Sequence, residues 1–190
     1  MKTILLTTAA VALMAMSPAP SPIGAAVTRV GGNAATTCYH AAVARDASGQ
    51  SMSECNAAVT QDAIPFSDLV ASYVNRGVLK LVRADYRGAE ADFNQAMGLD
   101  VGQPEAWLNK GISRYQQGDF QSARQMFSRA IELNTSYAPL AYFGRALANE
   151  DAGDIRAAYQ DYQRASALDP KWDAPKEQLS RFKVVRKTNA

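Results

Sequence analysis

A small residue, an aromatic four positions later and an alanine three beyond that recur in step: Ala89, Phe93, Ala96; Ala123, Phe127, Ala130; Ala158, Tyr162, Ala165. The second set follows the first by 34 residues and the third follows by 35. A period of that size predicts stacked helical hairpins, each burying its apolar face on its neighbours, rather than one layered core. Alanine and glycine let two helices approach, and the aromatics fill the space that remains. A bulky side chain at Ala130 is therefore expected to cost about 1–3 kcal/mol by overpacking. Such an array presents a surface for binding another macromolecule and carries no obvious reactive machinery.

The N-terminus has a different character. Lys2 precedes a nearly continuous apolar run from Ile4 to Met16 and a Pro/Ser/Gly/Ala stretch from Ser17 to Ala26. The run falls short of the ~20 residues needed to cross a bilayer, so residues 1–26 read as a removed signal peptide, with no membrane span left after its loss. Cleavage is expected near Ala26, with Ser17 as the alternative; Cys38 lies too far beyond the run for a lipoprotein. The mature chain is expected in the periplasm or secreted. The chain has 20 Lys and Arg against 18 Asp and Glu, and loss of Lys2 leaves 19 against 18. That balance lacks the concentrated positive field that nucleic-acid binding needs. The local excess of Arg181, Lys183, Arg186 and Lys187 suits the negative end of a last helix, or an anionic surface.

Two cysteines in an exported chain, Cys38 and Cys55, permit one intramolecular disulfide. An apolar-periodic stretch (Tyr39, Ala42, Val43) and a turn signal at Ser48–Gln50 lie between them. Ser51 with Glu54 then reads as a capping box opening a second helix. The bridge would staple a helical hairpin over 37–65, preceded by a flexible lead-in over 27–36, and contribute roughly 3 kcal/mol in the chain-entropy model. A redox or metal-binding pair is the rival reading, but redox pairs sit two residues apart and metal sites need further ligands.

From Pro65 onward, turn chemistry marks off three units, at about 68–101, 102–135 and 137–170. Gly118-Asp119 and Gly153-Asp154 mark turns inside units, and Ser67 or Asp68 can cap the first helix. The helices are predicted at 68–83, 86–98, 104–117, 120–132, 139–151 and 155–167, with Pro104 and Pro139 in first turns. A further helix over 174–187, carrying Leu179, Phe182, Val184 and Val185, would cap the third unit.

In register, these residues resemble the tetratricopeptide repeats, whose pattern is Trp, Leu, Gly and Tyr in a first helix, then Ala, Phe, Ala and Pro. The matching packing positions are Gly77, Ala89, Phe93 and Ala96 in the first unit and Trp107, Gly111, Ala123, Phe127 and Ala130 in the second. In the third unit they are Tyr142, Ala146, Ala158, Tyr162 and Ala165. The resemblance implies an all-α, right-handed α-solenoid of three hairpins, flanked here by the disulfide hairpin and the capping helix. The whole mature chain resembles small exported repeat proteins of Gram-negative bacteria. Where the family commonly has Leu this chain carries Arg76, Lys110 and Arg145, and the expected Tyr becomes Lys80, Arg114 and Asn149. Asp92 and Asp161 lie sixteen residues after Arg76 and Arg145, so two units can close an Arg–Asp pair between their helices. Lys110 faces Met126 and lacks that partner. The other reading of this stripe is a receptor for an acidic ligand.

The resemblance places binding on the concave surface of the first helices. Spacing at 100° per residue puts Asn75, Glu105, Asn109, Gln116 and Asp151 on that surface, with Asn75 and Asn109 at equivalent positions. Asparagine can both donate to and accept from an extended backbone, which makes the pair a candidate peptide ladder. Relatives that grip terminal carboxylates use cations where this chain has Val74, Leu140 and Gly144, so that specificity does not transfer. Catalysis has little support: the single histidine, His40, adjoins a cysteine committed to the disulfide, and no phosphate loop follows a strand. Glu150, Asp151 and Asp154 lack the spacing of a calcium loop. No cofactor or metal is expected. The leading expectation is a non-enzymatic scaffold for an unidentified protein or peptide. The alternative is a self-associating envelope component packing through Val78, Leu81 and Val82; a third reading is an enzyme accessory touching its partner through His40.

Overall fold

The computed structural model describes residues 2–6, 24–28, 33–60 and 64–186. The rest of the expected leader, the lead-in residues 29–32 and the last four residues lie outside these. In chain order the described elements are β1 (Lys2–Leu6), α1 (Asn33–Ala44), α2 (Gly49–Thr60), α3 (Phe66–Val82), α4 (Tyr86–Leu99), α5 (Pro104–Gln116), α6 (Phe120–Glu132), α7 (Ala138–Asp151), α8 (Ile155–Leu168), α9 (Ala174–Ser180) and β2 (Phe182–Arg186).

Helices α3 and α4, α5 and α6, and α7 and α8 pair as hairpins. The hairpins stack through α4 on α5 and α6 on α7, while α1 and α2 both pack on α3 and α9 packs on α8. The result is the all-α solenoid expected, with helix bounds within two residues of those predicted for the six repeat helices. Each hairpin turns through one left-handed residue, Ala84, Gly118 and Gly153, at φ of 57°, 79° and 83°. The aspartate that follows caps the second helix: Asp85, Asp119 and Asp154 accept from the backbone N–H of Gly88, Ser122 and Ala157.

The aromatic and small residues of the repeat meet as their spacing implies. Phe93, Phe127 and Tyr162 are fully buried, as are the alanines flanking them. Phe127 is wedged between glycines of successive hairpins. A Cβ on Gly111 would stand 2.8 Å from its ring, and one on Gly144 2.7 Å. Gly77 faces the ring of Phe93 in the same way. Both arrangements let the helices close to a separation that any side chain would prevent.

The disulfide joins Cys38 on α1 to Cys55 on α2, with both residues fully buried. Around it Ala41, Ala42 and Ala58 form a second small core with Val78 and Leu79 of α3. The hairpin thus covers Val78, and Leu81 is buried as well; of the three apolar residues proposed for self-association only Val82 stays exposed.

Some local expectations are corrected. Helix α2 starts at Gly49, and its cap is Ser48, whose hydroxyl accepts from the Ser51 N–H at 3.2 Å. Ser51 itself is buried and donates to Asp46, so the box with Glu54 does not form. Helix α3 begins directly after Pro65, with no side-chain cap from Ser67 or Asp68. Helix α1 begins at Asn33, inside the expected lead-in. The last helix ends at Ser180, well short of residue 187. Beyond it Phe182–Arg186 is extended and pairs antiparallel with Lys2–Leu6. The adjacent β-branched Val184 and Val185 suit strand better than helix. Capping survives the change: Leu179 and Phe182 pack on the third hairpin's core, and Phe182 meets the rings of Tyr159 and Tyr162. Trp172, unremarked in the sequence, packs against Phe143 with ring centroids 4.7 Å apart and the planes tilted by 55°.

Candidate functional site

Helices α3, α5 and α7 line the inner face of the stack, and their equivalent positions project along one track. Asn75 on α3 and Asn109 on α5 are fully buried, and each grips one residue of the chain's own segment 24–28 through both backbone groups. The Thr28 N–H donates to Asn75 Oδ1 at 2.8 Å, and Asn75 Nδ2 donates to the Thr28 carbonyl at 2.8 Å. One repeat along, the Ala26 N–H donates to Asn109 Oδ1 at 2.9 Å and Asn109 Nδ2 to the Ala26 carbonyl at 2.6 Å. The two asparagines are one repeat apart and the gripped residues are two apart, which is the spacing of side chains on one face of an extended strand. The segment runs from the third hairpin towards the first, opposite to the order of the repeats.

Two residues that sequence reasoning missed complete the contacts. The Tyr137 hydroxyl donates to the Val27 carbonyl at 2.9 Å, and Gln103 Nε2 donates to the Thr28 hydroxyl at 3.2 Å. Neither belongs to a first-helix face; both lie in the connections just before α5 and α7, so helical phasing could not find them. Burial holds the Tyr137 phenol above its ordinary pKa. The flanking side chains alternate: Ala26 is fully buried in the main repeat core, while Ala25 and Val27 pack against the disulfide core. The segment is therefore enclosed between the groove and the stapled hairpin.

The remaining candidates divide. Glu105 is buried beside the track but is occupied in joining repeats, accepting from Gln103 at 3.0 Å, Thr135 at 3.2 Å and Ser136 at 3.0 Å. Gln116 and Asp151 lie at the far ends of their helices, and neither bonds the segment. Asp151 accepts from the Tyr115 hydroxyl at 2.7 Å, and burial together with that bond drives the Tyr115 pKa far upward. Gln116 keeps its Oε1 buried without a partner. The ladder has no third rung because Gly144 holds the equivalent position on α7, pressed against Phe127. Past Gly24 the track opens instead into a depression of about 470 Å³ lined by Gly24, Ser136, Tyr137, Pro139, Leu140, Asp169 and Trp172.

The cationic stripe serves the fold. Arg76 forks onto Asp92 at 2.9 and 2.6 Å, and Arg145 onto Asp161 at 2.8 Å twice. Lys80 and Asn149 reinforce the same carboxylates at 2.7 and 3.0 Å, which explains why polar residues replace the usual tyrosines there. Lys110, without an aspartate, donates to Asn94 at 2.8 Å, and burial lowers its pKa. His40 is exposed beside the Tyr39 ring. Among the described residues no group of His, Cys, Asp or Glu is arranged to hold a metal, and no helix is long and apolar enough to cross a membrane. Glu150 accepts from Tyr162, whose pKa is pushed strongly upward chiefly by burial, and Asp154 is the α8 cap.

A tetratricopeptide repeat family profile matches residues 74–137 and 108–171, which together run through the stacked hairpins. The chain belongs to the tetratricopeptide repeat family. No curated protein matches it. Among solved structures, this repeat protein is similar to MamA at 19% identity, with 79% of this chain and 82% of that one covered and a TM-score of 0.63. It is similar to PilW, a type IV pilus biogenesis factor, at 14% identity, covering 77% and 65% with a TM-score of 0.65. The first repeat domain of Spaghetti (RPAP3), bound to the HSP90 peptide SRMEEVD, matches at 22% identity over 59% of this chain and 88% of that one, TM-score 0.56. At these identities the likeness is one of fold. Tetratricopeptide domains mediate protein–protein interactions, and peptide complexes occur among these neighbours.

Proposed function

We propose that this protein is a non-enzymatic scaffold that holds an extended segment of another protein in the groove of its three hairpins. The observation that carries the reading is the pair of two-way asparagine grips on backbone one repeat apart. Two buried amides would be costly to leave unsatisfied, and they are satisfied here by main chain alone, which is the chemistry of peptide capture. The neighbour's HSP90 peptide is acidic at its end, whereas Val74, Leu140 and Gly144 leave this groove without the cations for such a tail. We place the protein in the periplasm or outside the cell after leader removal, a reading supported by the apolar N-terminal run and the disulfide. The bonds to Ala26 favour cleavage at the Ser17 side, since cleavage after Ala26 would empty the Asn109 rung. Self-association loses support from the burial of Val78 and Leu81. Crosslinking in the native envelope, read by mass spectrometry, tests the proposal. Partners should be recovered with the natural protein and lost from Asn75→Ala/Asn109→Ala; retention of every partner refutes the groove.

A further inference from the structure

We propose that segment 24–28 is a self-ligand, a built-in competitor that shows which peptides the groove accepts and must withdraw before one enters. This rests on the groove being a peptide site. Three features define the accepted class. At the Asn109 rung the residue must be small, because Ala26 is fully buried in the repeat core. At the Asn75 rung a Ser or Thr hydroxyl can take the bond that Gln103 gives to Thr28. The residue between them is read through its carbonyl by Tyr137, while its side chain packs half-buried against the disulfide core and so favours an apolar residue. The peptide enters with its N-terminal end towards the third hairpin, where the depression lined by Leu140, Pro139 and Trp172 can take an apolar side chain upstream. The ligand is thus an extended segment of the form apolar, spacer, small, apolar, Ser or Thr.

The same contacts make the segment inhibitory. A tethered ligand is present at an effective concentration of roughly millimolar, so a peptide in solution competes against a nearly filled site, and its apparent Kd rises by the reciprocal of the open fraction. Withdrawal unfolds no helix, because the segment contributes none; it breaks the bonds to Asn75, Gln103, Asn109 and Tyr137 and frees Ala25 and Val27 from the disulfide core.

The test uses the full chain and a fluorescein-labelled peptide of residues 21–30, followed by fluorescence anisotropy. Ala26→Arg cannot be buried and should eject the segment; Thr28→Pro, which removes the N–H given to Asn75, is the second releasing variant should the first fold poorly. Both should bind the peptide at least about tenfold more tightly than the natural chain. Binding should vanish when Asn75→Ala/Asn109→Ala is added, and the same peptide carrying Arg in place of its Ala26 should not bind. Equal affinity for the natural and released chains would overturn the self-competition while leaving the groove intact. No binding to a released chain of natural helicity would overturn the ligand class, and binding that survives loss of both asparagines would overturn the groove reading itself.

Discussion

Replacing Asp92 by alanine removes a carboxylate that two cations share. Asp92 is 2% exposed, and it accepts two bonds from Arg76 at 2.9 and 2.6 Å while Lys80 stands 2.7 Å away. Breaking a buried ion pair by removing one partner costs about 3–5 kcal/mol, most of it for the charge left behind. Here the Arg76 and Lys80 side chains keep 15% and 18% of their surface in solvent, which relieves part of that penalty. We therefore expect about 3 kcal/mol, or a melting temperature lowered by roughly 6–12 °C at this chain length. Stability in a repeat array is local plus nearest-neighbour. Hydrogen exchange read by mass spectrometry at pH 7 should accordingly show faster exchange in α3 and α4, with α7 and α8 nearly unchanged. A double-mutant cycle with Arg76→Ala should return a coupling above about 1 kcal/mol. The Arg145–Asp161 pair, braced by Asn149, is an internal replicate: Asp161→Ala should shift the same change to α7 and α8. A melting temperature within 1 °C of the natural protein for both variants would refute the pairing as a source of stability.

Other predictions concern packing, backbone and ionisation. Phe127→Ala empties a fully buried site between two glycines and should cost about 3–5 kcal/mol in urea unfolding. Ala84→Gly should stabilise by about 1 kcal/mol, because Ala84 sits at φ 57° where the two equivalent turns already use Gly118 and Gly153; a loss of stability in the same assay would contradict this. Burial and carboxylate hydrogen bonds raise the Tyr115 and Tyr162 pKa values far above the ordinary 10. Their contribution is thus complete below pH 10 and falls as pH rises beyond it, when the unfolded phenols ionise first. Absorbance at 295 nm should show these tyrosines ionising only on alkaline unfolding. Reducing the Cys38–Cys55 bridge should cost roughly 3 kcal/mol, seen as lost protection in α1 and α2 under dithiothreitol.

Much of the fold was legible from spacing because repeat contacts are short-range in sequence. Arg76 finds Asp92, and Arg145 finds Asp161, across a hairpin of constant length, so an offset of sixteen residues suffices to predict the bond. Boundaries failed where two local signals competed: Ser48 and Ser51 are both good caps, and a hydrogen bond to Asp46 took the Ser51 hydroxyl away. Likewise Val184 and Val185 fall on an apolar helical stripe, but their β-branching favours strand, and they lie in β2 paired with Lys2–Leu6.

The groove divides the same way. Helical phase and repeat register alone determined that Asn75 and Asn109 share a face, since both follow from residues within one period. What fills that face was decided only in three dimensions: Thr28 meets Asn75 from 47 residues away and Ala26 meets Asn109 from 83. Recognition there runs mostly through main-chain N–H and C=O, which every residue possesses, and the side-chain requirements that remain, a small residue at Ala26 and a hydroxyl at Thr28, are too common along a chain for the segment's place to be read from them.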